Sequence, residues 1–395
     1  MGEEKWEGDS FEIILKFRRM FKVDTIPFKI MESSGPIFTP QLASARKQNS
    51  ETTYRSATVE RDVIISPDTL EPCAMNAVRR NQVLGINLQL FPDTENLNGM
   101  SSRTGNQPGS HAKILLGAHV SIAGGVHNAI PRGEALGCTA IQIFTKNASQ
   151  WKSKPLTEQE VRDFKLEQSR TGIMVVAHDG YLINLGSPKT DLLLQSKAAF
   201  MEEIDRAEQL EIPYLVMHPG AHVGSGEDAG LNSIIQSLNA ALTDTTGYRV
   251  RILLENTAGQ GTALGYSFEH LSRIINDSAY PERMGMCLDT CHAFAAGYDL
   301  SGNPHYEHVM EELDVTVGLD RLKALHLNDC IKGLGCRVDR HEHIGRGMLG
   351  LECFRLIMND ARLRNVPKFI ETPKTLGGHD MDPVNLSLLK SLISD

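Results

Sequence analysis

The chain has 395 residues, of which 41% are hydrophobic and 23% charged, and a formal net charge of -9. That length holds one barrel-sized domain plus an extension, and the composition is that of a globular protein rather than a disordered or fibrous one. No apolar run is long enough to span a bilayer as a helix, and the acidic balance leaves any nucleic-acid binding to local Lys and Arg or to bound cations.

From the N-terminus, MGEEKWEGDS is too acidic for a transit peptide and lacks the apolar centre of a secretory signal. MNAVRRNQVLGINLQLF, opening at Met75, has arginines and no acidic residue before Asp93, so it suits a mitochondrial presequence if translation begins there. NLNGMSSRTGNQPGSHAK reads as a linker. We expect a boundary near His111: residues 1–110 a poorly ordered N-terminal extension and linker, residues 111–395 a single domain. The expected compartment is intracellular, the cytoplasm in a prokaryote and the nucleus or mitochondrion in a eukaryote.

After His111 an apolar strand, a polar turn and an amphipathic helix repeat. The strands are predicted near 114–120, 140–145, 173–178, 213–218, 250–255, 285–289, 323–327 and 367–371. Between them, SKAAFMEEIDRAEQL at 196–210 puts Phe200, Ile204 and Ala207 on one helical face, and EHLSRIIND at 269–277 does so with Leu271, Ile274 and Ile275. Eight strand–helix units predict a (β/α)₈ TIM barrel, with an open doubly wound sheet as the competitor. No G-x-G-x-x-G turn follows the first strand, and AGG at 123–125 is too short to serve as one.

The apolar runs break into polar residues at ILLGAHV, IMVVAHDG, YLVMHPG, VRILLENT, GMCLDT, LKALHLND and KFIET, at His119, His178, His218, Glu255, Asp289, His326 and Glu371. A barrel gathers its C-terminal strand ends into one ring, where its enzymes carry out their chemistry. A single such histidine is usually a hydrogen-bonded core residue, and a single carboxylate a helix cap. Burying so many together is costly unless a cation compensates them. Asp289 is followed by His292 in DTCHAF, and Asp339 and His341 lie in RVDRHEH, with His343 beyond; Asp339 and His341, with His292 as the third ligand, make a plausible three-ligand site. The mixed nitrogen and oxygen donors suit Zn²⁺, with Mn²⁺ and Fe²⁺ as the other ions admitted. The set is too large for one ion, and bridging carboxylates point to two or three. Two ions about 3.5–4 Å apart can clamp the attacking and leaving oxygens of a phosphodiester, so phosphoryl transfer or hydrolysis is favoured. Cys287 and Cys291, in CLDTCH, read as small side chains near a strand end rather than thiolate ligands. Seven cysteines, an odd number, fit a reducing compartment better than a disulfide framework.

The strings GAHVSIAGG, FTKNASQW, HDGYLINLG, HPGAH, ENTAGQG, CLDTCHAFAAGYD, HLNDC, RVDRHEHIG and ETP resemble, in order, those of the endonuclease IV family of apurinic/apyrimidinic (AP) endonucleases, from about Leu115 to the C-terminus. The resemblance implies three zinc ions on a TIM barrel. His178, His218 and Glu255 would hold one. Glu255 would bridge to a second, held with Asp289, His326 and Glu371. His292, Asp339 and His341 would hold the third, leaving His119 to support the site or touch DNA. The implied reaction is hydrolysis 5′ to an abasic site in duplex DNA, leaving a 3′-hydroxyl and a 5′-deoxyribose phosphate, with removal of 3′-blocking groups alongside. Glu255 and Glu371 would be the catalytic pair beside the attacking water. Tyr181 and Leu182 match residues that wedge into the duplex while the abasic nucleotide flips out. Ser149 stands where the family commonly has an Arg that enters the base stack, which predicts weaker or altered DNA distortion. Lys146, Asn147, Arg337 and Arg340 are candidate phosphate contacts, and a monomer is expected. The alternative is a sugar isomerase or epimerase on a related barrel, but such enzymes need two ions at most, which leaves His292 and DRHEH without a purpose. A lesion-binding protein without catalysis should lack a ligand, and none is missing.

Overall fold

Short apolar, β-branched runs alternate with helices from Leu116 onward in the computed structural model, which describes residues 114–394. The expected extension, the Met75 segment and the boundary near His111 lie outside the described residues. The eight principal strands are β1 (Leu116–Ala118), β2 (Ala140–Phe144), β3 (Met174–His178), β4 (Tyr214–Met217), β5 (Arg251–Glu255), β6 (Met284–Asp289), β7 (Leu322–His326) and β8 (Lys368–Ile370). Each lies at its predicted position. All neighbours are parallel, in the order β1-β8-β7-β6-β5-β4-β3-β2.

The ends of that order meet. His119 bridges Gln142 in parallel, Val120 N donates to Gln142 O at 2.8 Å, and Thr139 N donates to Leu116 O at 2.9 Å. The sheet therefore closes into the predicted barrel, and the open doubly wound alternative is excluded. Gly117 makes this seam possible: a Cβ built on it would lie 1.7 Å from the Ala140 carbonyl oxygen. Only glycine lets two backbones approach that closely.

The helices are α1 (Ala129–Ala135), α2 (Glu158–Thr171), α3 (Thr190–Gln209), α4 (Glu227–Asp244), α5 (Phe268–Asn276), α6 (Thr290–Ala296), α7 (Asn303–Thr316), α8 (Leu351–Asn359) and α9 (Asp382–Ser391). α3 buries Phe200, Ile204 and Ala207, and α5 buries Leu271, Ile274 and Ile275, the faces that the helical spacing predicts. Strand side chains alternate between two cores, as the pleat requires. Ile141, Val175, Leu215, Ile252, Leu288 and Leu325 pack outward under the helices. Ala140, Val176, Val216, Leu253, Cys287, Ala324 and Phe369 form a separate cluster inside the barrel. Two residues further along, the same inward parity falls on Gln142, His178, His218, Glu255, Asp289, His326 and Glu371. The period of 2 thus stacks a polar ring directly above the apolar plug.

Candidate metal centre

Glu255, the last residue of β5, is completely buried at the middle of the ring. Four imidazoles face it. His178 Nε2 and His218 Nε2 lie 3.0 and 3.1 Å from Oε2, and His326 Nδ1 and His292 Nδ1 lie 2.9 and 3.1 Å from Oε1. Burial alone would raise its pKa, but the charges of His326 and His218 and hydrogen bonds from His178 and His218 outweigh burial and hold the carboxyl well below its usual range. Burial likewise disfavours charge on His326 and His292; Cys287, Glu255 and Glu371 around the first, and Asp289, Asp339 and Glu255 around the second, reverse that and raise both well above the ordinary value.

For His178 and His326 the other ring nitrogen meets an acceptor: Nδ1 of His178 faces Asp179 O at 2.9 Å, and Nε2 of His326 faces Gln142 Oε1 at 2.8 Å. Nδ1 of His292 is shared between Glu255 and Asn256 O at 3.0 Å, which leaves its Nε2 for Asp339, and Nδ1 of His341 faces Glu371 O at 3.2 Å. Each of these nitrogens must carry a proton to bond to an oxygen, so in neutral rings the opposite nitrogens present lone pairs to carboxylates. Lone pairs facing carboxylate oxygens repel, so the arrangement calls either for a second proton on the ring, as the raised His326 and His292 pKa values describe without metal, or for a divalent cation in its place.

Ligand atoms fall into overlapping groups, within 4.8 Å of one another: His178, His218 and Glu255; Glu255, Asp289, His326 and Glu371; and Asp289, His292 and His341. Asp339 completes the last, with Oδ2 3.2 Å from His292 Nε2 and Oδ1 3.3 Å from His341 Nε2; the two Nε2 atoms are 3.4 Å apart. Burial opposes its ionisation, but His292 and His341 bring its pKa down to about 2. The nine predicted ligands are therefore brought together, and the donor set fits divalent cations with nitrogen and oxygen preference.

Local structure explains the placement. Asp289 ends β6 and caps α6, its Oδ1 accepting from His292 N at 2.8 Å, so one residue fixes both itself and His292. Asn328 donates to Asp289 Oδ2 at 2.6 Å and accepts from Glu371 N at 2.8 Å, tying β6, β7 and β8 together. The DRHEH loop is docked rather than solvated: His341–Glu342 pairs antiparallel with Asp329–Cys330, and Asp339 N donates to Gln260 Oε1 at 3.0 Å. His343 is buried against Asn385 and stands apart from the groups of ligand atoms.

Cys287 lies in the interior apolar cluster, its thiol pushed up to about 12 by burial. Cys291 could share a site with Asp339 and His341 by distance, but contact with Cys330 and burial raise its thiol strongly, and Sγ turns to Arg340 O at 3.6 Å. His119 Nδ1 lies 3.2 Å from Glu371 Oε1. Gln142 is absent from the sequence-based ring, although it is polar in the apolar strand AIQIF at ring parity.

A cavity of about 830 Å³ opens over the ring, lined by Phe144, Asn147, Tyr181, Arg340 and Lys374 among others. Tyr181 is 70% exposed at its rim, edge-on to Phe144 with ring centroids 5.1 Å apart, and Leu182 beside it is half-buried. Asn147 and Ser149 are exposed on the facing loop, whose Ala148 O accepts from Tyr181 N at 3.1 Å.

Two expected phosphate contacts differ. Lys146 borders the cavity but is buried: its ammonium lies 3.4 Å from Glu202 and 3.8 Å from Glu203 and donates to Trp151 O at 3.2 Å, so its charge is turned to the protein and it anchors the loop. Arg337 stacks 4.4 Å over the Tyr266 ring, outside the cavity lining. Arg340 does reach the cavity. No helix among the described residues is long and apolar enough to cross a membrane.

Residues 131–389 match the family described as xylose isomerase-like TIM barrel. A relative named "Probable endonuclease 4" from Chloroflexus aggregans is 53% identical over 280 residues, 70% of this chain and 97% of its own. One of the same name from Citrifermentans bemidjiense is 51% identical over 280 residues, 71% of this chain and 99% of its own. Among solved structures, endonuclease IV from Thermus thermophilus superposes with a TM-score of 0.62 at 36% identity, covering 70% of this chain and 98% of that one. A D-tagatose 3-epimerase-like protein shares the fold at 18% identity, with a TM-score of 0.54 over 71% of this chain and 97% of its own.

Proposed function

The chain belongs to the endonuclease IV family, and on that premise we propose that it is a zinc-dependent AP endonuclease of base excision repair, acting through residues 111–395 as one monomeric catalytic domain. It hydrolyses the phosphodiester 5′ to an abasic site and trims 3′-blocking groups. The observation that carries this reading is the set of imidazole nitrogens turned towards clustered carboxylates, a geometry that a cluster of divalent cations stabilises.

His178, His218 and Glu255 hold one ion; Glu255, Asp289, His326 and Glu371 a second; His292, Asp339 and His341 a third. Bound there, the ions supply a water of lowered pKa and positive charge for the phosphoryl oxygens. Glu255 and Glu371 orient the attacking water. Tyr181 and Leu182 enter the gap left by the missing base, where flipping costs least because no base is stacked. Asn147 and Arg340 bind flanking phosphates, and Phe144 walls the pocket that receives the sugar. Wedging through Tyr181 is supported by its exposure at the rim and by Phe144 bracing it from behind.

The epimerase reading rests on a fold likeness at 18% identity, and a fold does not carry a function. The donor group of His292, Asp339 and His341 has no task in a two-ion sugar site. Elemental analysis of the purified protein, paired with incision of an abasic duplex and turnover of a ketose, tests the proposal. Zinc near three per chain with incision is expected; ketose turnover without incision would overturn it.

A further inference from the structure

Gln142 is the amide member of the inward ring, and its side chain joins two ligands of one ion. It is fully buried in β2, and its main-chain carbonyl accepts from Val120 N at 2.8 Å, which holds it at the barrel seam. One end of the amide lies 2.6 Å from Glu371 Oε1, the other 2.8 Å from His326 Nε2. A carboxylate can only accept, so the NH₂ end must face Glu371. The carbonyl end then faces His326 Nε2, and that nitrogen must carry the ring proton. His326 Nδ1 is left as the lone-pair nitrogen, 2.9 Å from Glu255 Oε1 and 3.3 Å from Glu371 Oε2. Occupying Oε1 of Glu371 likewise turns its Oε2 towards the same point. The NH₂ group also approaches His119 Nδ1 at 3.0 Å, which adds a third ring residue to its reach.

We propose that Gln142 is a positioning residue for the ion held by Glu255, Asp289, His326 and Glu371: one amide sets the tautomer of His326 and the rotation of Glu371 together. This rests on the metal-dependent reading above. Gln142→Leu removes both hydrogen bonds at similar volume, and Gln142→Met does so with a more adaptable chain. Metal-loaded wild type and variants are dialysed against graded chelator, the remaining ions are counted by elemental analysis, and kcat and KM are measured on abasic duplex. Melting temperatures of the metal-free proteins report packing separately.

Outer partners of metal ligands typically contribute about 10–100-fold to metal affinity or activity. The expected result is loss of one ion per chain at chelator concentrations about 10–100-fold below those that strip wild type, with kcat reduced by a similar factor and KM little changed. A folded variant that keeps the wild-type chelator profile and kcat overturns the proposal. Equal loss of all ions, a lowered metal-free melting temperature, or failure of both variants to fold overturns it too, because each marks a packing role. A wild type that binds no metal brings down the metal reading itself, which tells the two failures apart.

Discussion

At the residue scale, the site is governed by Glu255, which four imidazoles address from the ends of β3, β4 and β7 and from α6. Glu255→Gln keeps the shape but removes the charge that those rings and the proposed ions share. We expect kcat on abasic duplex to fall on the order of 10³-fold, the upper range for removing one electrostatic contact to the transition state. Single-turnover incision with parallel metal analysis checks this; near-normal turnover with a full metal load refutes the assignment. Ser149 is exposed on the loop facing Tyr181, at the position where the resemblance leads one to expect Arg. Ser149→Arg is expected to tighten binding of abasic duplex several-fold, read by fluorescence anisotropy, with kcat unchanged; unaltered affinity sinks the wedge idea. Single residues are legible from sequence wherever a polar side chain ends an apolar run, because burial of an ionisable group needs a reason. Gln142 gives no such signal, because an uncharged amide inside AIQIF carries no charge to account for. Lys146 reads as a surface group in sequence because the acidic partners that bury it, Glu202 and Glu203, lie on α3, far along the chain.

At the scale of elements, the strands are legible because a parallel barrel needs near-continuous apolar runs, and the period of 2 selects which members face inward. The helices follow from their 3.6-residue faces. What the pattern does not carry is closure, because pairing of β1 with β2 depends on atoms brought together across the whole sheet. Gly117 is where closure is decided. Gly117→Ala places a methyl group 1.7 Å from the Ala140 carbonyl oxygen, and neither backbone can yield without parting the seam. We expect a loss of about 3 kcal/mol or more, at the upper end of overpacking costs. Urea unfolding measures it. The same change should also lower metal retention, because His119 and Gln142 flank that seam. A variant within about 0.5 kcal/mol of wild type, the range of an indifferent surface change, shows that the seam tolerates separation.

At the scale of the whole molecule, the charge balance and the buried ring pose one problem with one solution. A chain of net charge -9 gathers four carboxylates around one point, two of them fully buried, and is read as acting on a polyanion. Three divalent ions would offset the repulsion among Glu255, Asp289, Glu371 and Asp339 and give the cavity the sign that DNA requires. Ligands that bind only the folded state stabilise it by mass action, about 4 kcal/mol for one site at a thousandfold excess over Kd. Stripping the ions should therefore lower the melting temperature by roughly 10 °C, at a few degrees per kcal/mol for a domain of this size. Restoring zinc should recover it. Duplex affinity should fall in parallel, with a shallower dependence on salt, because fewer phosphate contacts displace counterions. Differential scanning calorimetry and anisotropy at graded salt read the two effects on the same preparations. If the melting temperature moves and duplex affinity does not, the ions serve the fold while DNA is held by Asn147, Arg340 and the rim alone. If neither moves, the histidines and carboxylates neutralise one another as ion pairs, and the ring is not a metal centre.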